Sequence, residues 1–127
     1  MAAIEAQEFA DIAFVQQDLQ KAYDILSGGM KKGYSPEEFT GILVKMHPTG
    51  YPSKVTATEY EPILGQPAMN IFLEGQTEKE NFYYRFVMEG TSDKGYKVAG
   101  FFRGNGPYPD SPMRQPLNNI PENKISQ

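Results

Sequence analysis

The spacing of apolar residues changes once along this chain, near Ser53, and that change limits the folds open to it. Before Ser53 apolar side chains recur at steps of three and four residues, which places them on one face of an α-helix. After Ser53 they alternate with polar residues, as in strands with one buried face. A chain of 127 residues suits a single domain. We therefore predict an α+β fold, with N-terminal helices packed on a curved four-stranded antiparallel meander sheet.

The helical half divides into two predicted helices. Residues 3 to 27 contain no proline or internal glycine, which predicts one helix, or two segments bending near Gln17-Asp18, ended by Gly28-Gly29. A second helix over residues 36 to 46 has a complete start signal: Ser35 as N-cap, Pro36 at the first helical position, and Glu38 placed to close a capping box.

The second half predicts four strands, over residues 54 to 60, 68 to 74, 81 to 89 and 96 to 103. The links between them are short, which favours antiparallel neighbours. On the third strand one face carries Phe82, Tyr84, Phe86 and Met88, and this face should meet the helices. Alternation on the fourth strand groups Val98 with Phe102 and leaves Phe101 on the opposite face. Rings on both faces indicate that the outer face of the sheet is covered or forms an interface.

The composition changes after residue 104, where Gly, Pro and Asn predominate. We predict a single domain over residues 1 to 104 and a C-terminal tail over residues 105 to 127 that is extended or mobile. Tyr108, Met113, Leu117 and Ile120 are the residues through which the tail could dock.

Charge and composition argue against several kinds of partner. The net charge is −4 and Lys31-Lys32 is the only adjacent basic pair, so nucleic acid is not an expected partner. With one histidine and no cysteine, we expect no metal site and no cofactor. No apolar run approaches the roughly 20 residues of a membrane helix, so we expect a soluble chain, either cytoplasmic or exported with its signal removed.

Three sequence segments resemble the nuclear transport factor 2-like superfamily of cystatin-like, cone-shaped α+β domains. They are the run Lys21-Ala-Tyr-Asp-Ile-Leu-Ser27, the capped Ser35-Pro-Glu-Glu-Phe39, and Gly95-Tyr-Lys-Val-Ala-Gly-Phe-Phe-Arg103, which is similar to the last strand of many small bacterial members. The similarity spans roughly residues 5 to 104. It implies a bent sheet wrapped around the helices, a pocket at the open end, and a homodimer formed through the outer sheet face.

Five residues are the candidates for a ligand site: Tyr23, His47, Tyr84, Arg85 and Phe86. Histidine generally titrates near neutral pH, so His47 would suit acid-base work, although a histidine at a helix end also interacts favourably with the helix dipole. Arg85 lies in the middle of a strand, where it could bind an anion, bridge a dimer, or simply lie over a neighbouring ring such as Tyr83 or Phe101. No convergent catalytic set is evident.

Two functions therefore remain open at the level of sequence. The first is a non-catalytic domain that binds a small hydrophobic ligand or a protein partner. The second, which the resemblance implies, is a ketosteroid isomerase-like or polyketide cyclase-like enzyme, with Tyr84 or Tyr23 as donor and a glutamate or His47 as base. A buried acid or histidine within hydrogen-bond reach of a tyrosine hydroxyl would favour the enzyme.

Overall fold

The computed structural model describes residues 1–91 and 93–117, and its N-terminal half is helical. Helix α1 spans Ala2–Ala10 and continues as a π-helical segment, Asp11–Val15. The helix then bends at Gln17, whose φ of 56° is left-handed, and α2 follows over Leu19–Asp24 with Asp18 as its N-cap. The predicted division into two segments near Gln17-Asp18 is confirmed.

The glycines that were expected to end this helix instead begin another. Helix α3 spans Gly28–Gly33, and the Ser27 hydroxyl caps it by accepting a hydrogen bond from the Met30 N–H. The prediction failed because Ser27 is an effective N-cap, and that capping signal outweighs the low helix propensity of glycine.

Helix α4 spans Pro36–Met46 and confirms the predicted helix in detail. The Ser35 hydroxyl accepts from the Glu38 N–H, and the Glu38 carboxylate accepts from the Ser35 N–H, so both halves of the capping box are formed. The helix ends at His47, where Pro48 prevents its continuation.

Four long strands form the predicted antiparallel meander: β1 at Lys54–Pro62, β2 at Ala68–Gln76, β3 at Asn81–Thr91 and β4 at Gly95–Gly104. A short fifth strand, β5 at Gln115–Pro116, pairs with β1, so the strand order is β4-β3-β2-β1-β5. The sheet is curved and open. The fold class predicted from the sequence is confirmed, with β5 as an addition.

Two β-bulges alter which side chains face the helices. On β4 the residues Val98 and Gly100 lie opposite consecutive residues of β3, which leaves Ala99 as the extra residue. The bulge moves Phe101 to the inner face with Val98, where it is 7% exposed, and leaves Phe102 outside at 46%. The grouping of Phe102 with Val98 was therefore wrong, since simple alternation does not anticipate an inserted residue. A second bulge lies on β1 between Ala57 and Glu59.

The core is built of rings from both halves of the chain. Phe82, Tyr84, Phe86 and Met88 of β3 are fully buried, as predicted. Phe9 of α1 lies in the middle of this core and contacts four other phenylalanines: Phe14, Phe39, Phe86 and Phe101. The helices and the sheet are therefore held together by aromatic contacts.

Part of the C-terminal segment lies on the outer face of the sheet, where Tyr108 and Arg114 cover Phe72. The Tyr108 ring lies 5.4 Å from the Phe72 ring, and the Arg114 guanidinium stacks over that ring and pairs with Glu59 at 3.2 Å. Among the proposed docking residues, Tyr108 and Leu117 contact the domain, Met113 is 44% exposed, and Ile120 lies outside the described residues. A homodimer through the outer face stays a prediction, and its interface would not include Phe72, which this segment covers.

Candidate functional site

His47 and Tyr84 form a buried hydrogen-bonded pair between α4 and β3. The imidazole Nδ1 lies 2.8 Å from the Leu43 carbonyl oxygen, and Nε2 lies 2.8 Å from the Tyr84 hydroxyl. Because a carbonyl oxygen can only accept, Nδ1 carries the proton of the neutral ring. Nε2 therefore accepts a hydrogen bond from the Tyr84 O–H. A histidine within reach of a tyrosine hydroxyl is the arrangement that would favour an enzyme.

The surroundings of this pair leave no room for a substrate. The Tyr51 ring stacks on His47 at 4.3 Å, and the Phe14 ring stacks on Tyr84 at 4.7 Å. His47 is 5% exposed and Tyr84 is 0% exposed. Five surface grooves are formed by residues within 1–91 and 93–117, and neither His47 nor Tyr84 lines any of these five.

Burial also keeps both groups neutral. It is the largest influence on the pKa of the His47 imidazole and lowers it. The hydrogen bond to the Leu43 carbonyl and the charge of Glu80 raise this pKa, and the charge of Arg103 lowers it, so that the net shift is downward. Burial raises the pKa of the Tyr84 hydroxyl above its ordinary value of 10. A general base works best with a pKa near the ambient pH, so both shifts lead away from acid-base catalysis.

The pKa of His47 predicts how stability depends on pH. The unfolded chain binds a proton at the ordinary value of 6.5, while the folded chain binds it only at lower pH, so stability falls as the pH drops below 6.5. The chain has one histidine, so its C2 proton gives an unambiguous NMR titration. We expect a midpoint below 6.5, together with a smaller free energy of unfolding at pH about 5.5 than at pH about 7.5. A midpoint at or above 6.5 would contradict the buried neutral ring.

The other three predicted site residues face different parts of the molecule. The Tyr23 hydroxyl donates to the Tyr34 carbonyl at 2.6 Å and thereby ties α2 to the end of α3. Phe86 is a fully buried core ring. Arg85 lies on the outer face, over the Phe102 ring at 4.5 Å, with its guanidinium also donating to the Asn70 side chain. The five candidates do not form one site.

A different part of the molecule has the shape and chemistry of a ligand site. A groove of about 580 Å³ lies between the start of α1 and the inner face of the sheet. We call it the concave groove, and the residues that line it are Met1, Ala2, Ala3, Tyr60, Met69, Ile71, Tyr96, Pro116 and Leu117. Ligand pockets of small molecules commonly measure 300–1,000 Å³ and are mostly apolar.

The polar groups of the concave groove are few. Among its described lining residues there is no Asp, Glu, His, Lys or Arg, and the only polar side-chain groups are the hydroxyls of Tyr60 and Tyr96. Neither hydroxyl has a hydrogen-bond partner within residues 1–91 and 93–117. The groove therefore offers an apolar surface with two free hydroxyl groups.

The sequence alone did not predict this groove because its residues come from five separate elements. Tyr60 and Met69 had been read only as strand residues, and Leu117 as one docking residue of the tail. The groove depends on how the β1 bulge turns Tyr60 inward and on where β5 ends. The available signal was the high share of tyrosine and methionine on the inner faces of the strands.

Comparisons of the chain with models of protein families, with curated proteins and with solved structures give no match. Among the residues that the structure describes, no group of three or more His, Cys, Asp or Glu side chains could hold a metal ion. No helix in the described ranges is long and apolar enough to cross a membrane.

Proposed function

We propose that this chain is a non-catalytic domain of the nuclear transport factor 2-like class that binds a small apolar molecule in the concave groove. The observation that carries the proposal is the lining of that groove: apolar side chains and two hydroxyls, with no titratable side chain other than tyrosine. The order of elements, with helices before a curved antiparallel meander, is what the resemblance to that class implies.

The ligand that fits is a compact apolar molecule with one or two polar atoms. Met69 and Leu117, which are partly exposed, provide apolar contact area, at about 25 cal/mol per Å² of surface removed from water. Tyr60 and Tyr96 can each donate a hydrogen bond to a carbonyl or hydroxyl oxygen of the ligand. A ligand with a strong net charge does not fit, because the groove offers no charged side chain and the Met1 ammonium group is already paired with Glu5.

The enzyme alternative has one observation in its favour, the hydrogen bond between His47 and Tyr84. Three features weigh against it: the pair is buried, both ring nitrogens of His47 are already bonded, and the pKa shifts keep both groups neutral. We interpret the pair as a structural connection between α4 and β3.

Fluorescence of N-phenyl-1-naphthylamine, an uncharged dye, with decanol as an uncharged competitor, tests the groove directly. We expect saturable binding of the dye that decanol displaces. Leu117→Asp places a carboxylate in the wall of the groove and should weaken decanol binding tenfold or more, since burying a charge beside an apolar ligand is costly.

Leu64→Asp is the matched control, because it makes the same chemical change at a side chain that is 77% exposed and outside the groove. It should bind decanol like the unmodified chain. Met69→Gln, which lines the groove from β2, should also weaken binding. The proposal fails if decanol does not bind, or if both groove variants bind it as tightly as Leu64→Asp does.

A further inference from the structure

Strand β4 is one edge of the sheet, and part of that edge has no partner. The strand order places β3 on one side of β4 and no strand on the other. The Ser27 N–H donates to the Val98 carbonyl, and Leu26 forms an isolated bridge with Val98, so the chain covers the edge up to that residue. From Ala99 to Gly104 the described residues supply no backbone partner on the outer side.

Sheet edges of this kind are usually protected. Proteins place proline, inward-pointing charges or a covering segment along an exposed edge, because its free N–H and C=O groups pair readily with other chains. The opposite edge is protected in this way, since β5 lies on β1. Arg103 is such an inward-pointing charge at the end of the segment, held by the Met46 carbonyl and Glu80. Ala99-Gly-Phe-Phe102 has no proline, no charged residue and no covering backbone among the described residues.

An apolar groove of about 430 Å³ runs beside this open edge. We call it the edge groove. One wall is β4 from Ala99 to Arg103, and the other wall is formed by side chains of the helical half: Met30, Tyr34, Ile42 and Met46. A strand edge facing a helix across an apolar groove is the arrangement in which extended peptides bind by strand addition, with backbone hydrogen bonds on one side and side-chain pockets on the other.

The charges around the edge groove are mostly positive, although the chain as a whole is acidic. Exposed Lys31 and Lys32 follow Met30, and exposed Lys45 precedes Met46. None of the three forms an ion pair among the described residues, although the Lys31 ammonium donates a hydrogen bond to the Asp24 carbonyl. The Glu38 carboxylate, one turn before Ile42 on α4, is held by the Ser35 N–H. The positive charges favour a partner that carries carboxylates.

We propose that the β4 edge from Ala99 to Gly104 binds an extended, acidic and apolar peptide segment of another protein by strand addition. Alternate side chains of the peptide enter the edge groove against Met30 and Ile42, while the remaining ones lie over Phe102 on the outer face. Carboxylates at the ends of the peptide meet the lysines of α3 and α4. This surface is separate from the concave groove and does not depend on it.

Selection from a phage-displayed library of random peptides, each about ten residues long so that it can span the edge, tests the proposal on the full chain. We expect a consensus of alternating apolar residues with Asp or Glu at one or both ends. A synthetic peptide with that consensus should slow amide hydrogen exchange tenfold or more within residues 99–104.

Two exposed side chains give a matched pair of variants. Phe102 is 46% exposed beside the edge and Met113 is 44% exposed away from it. Phe102→Ser should weaken binding of the consensus peptide about tenfold, a change of about 1.4 kcal/mol, and Met113→Ser should leave it unchanged. Lys45→Glu should also weaken binding of the peptide, and the loss of affinity should be larger at low salt than at high salt.

Three results would overturn the proposal. The first is selection that yields no alternating consensus. The second is a consensus peptide that protects amides outside residues 99–104, or that binds Phe102→Ser and the unmodified chain equally. The third is a dimer in light scattering whose formation protects residues 99–104, because the edge would then pair with a second copy of this chain.

Discussion

Replacing Phe9 by alanine should lower the free energy of unfolding by about 3–5 kcal/mol, the usual loss for a large ring removed from a core. Phe9 is fully buried and its ring centroid lies 5.6 Å from that of Phe86 on β3 and 5.9 Å from that of Phe101 on β4. Removing it leaves a cavity where α1 meets the sheet, and rings on both sides lose their contacts.

Denaturant unfolding followed by circular dichroism measures this loss. Phe102→Ala is the matched control, because it removes the same ring from the outer face, where the side chain is 46% exposed and its ring contact is with Arg85. We expect the control to lose about 1 kcal/mol or less. Equal losses for the two variants would show that Phe9 does not join the helices to the sheet.

Tyr84→Phe should lower the free energy of unfolding by about 1–3 kcal/mol, although it removes only one oxygen atom. The ring remains stacked on Phe14, but the Nε2 atom of His47 loses its hydrogen-bond donor in a place that water does not reach. The cost is that of an unsatisfied buried acceptor, which exceeds the net contribution of an ordinary hydrogen bond.

Tyr83→Phe is the control for this prediction, since it makes the same change on the neighbouring residue, whose hydroxyl has no hydrogen-bond partner among the described residues. It should change the free energy of unfolding by less than about 0.5 kcal/mol. If Tyr84→Phe were as stable as Tyr83→Phe, the hydrogen bond to His47 would have no structural role, and the case for a catalytic pair would strengthen.

The elements that the sequence predicts well are those with strong local signals. The capping box at Ser35 and Glu38 marks the start of α4 to the residue, because two reciprocal hydrogen bonds depend on two side chains three positions apart. Alternation along β3 identifies its buried face because no extra residue is inserted in β3 itself. Local chemistry is sufficient in both cases.

The sequence predictions were wrong where a second structural signal opposed the local sequence rule. Gly28 was read as a stop, but Ser27 precedes it and caps a new helix. Phe101 was placed on the face opposite Val98, but the extra residue Ala99 reverses the alternation at that point. A bulge depends on how two strands pair, which the sequence of one strand does not specify.

The candidate site was the least predictable feature. His47 and Tyr84 were each identified as candidates, yet their 37-residue separation along the chain gave no sign that they bond to each other. The concave groove depends on the positions of α1, β1, β2, β4 and β5 together. Single-sequence patterns describe elements one at a time, whereas a pocket is a property of their packing.

The central claim is that ligands bind in the concave groove and do not reach the buried pair. A titration of isotope-labelled protein with decanol, followed by NMR, tests both parts in one experiment. We predict shifts for the Tyr60, Met69 and Tyr96 resonances, with the His47 C2 proton unchanged. A shift of the His47 or Tyr84 resonances, with the groove residues unaffected, would contradict the claim and place the binding site at the histidine–tyrosine pair.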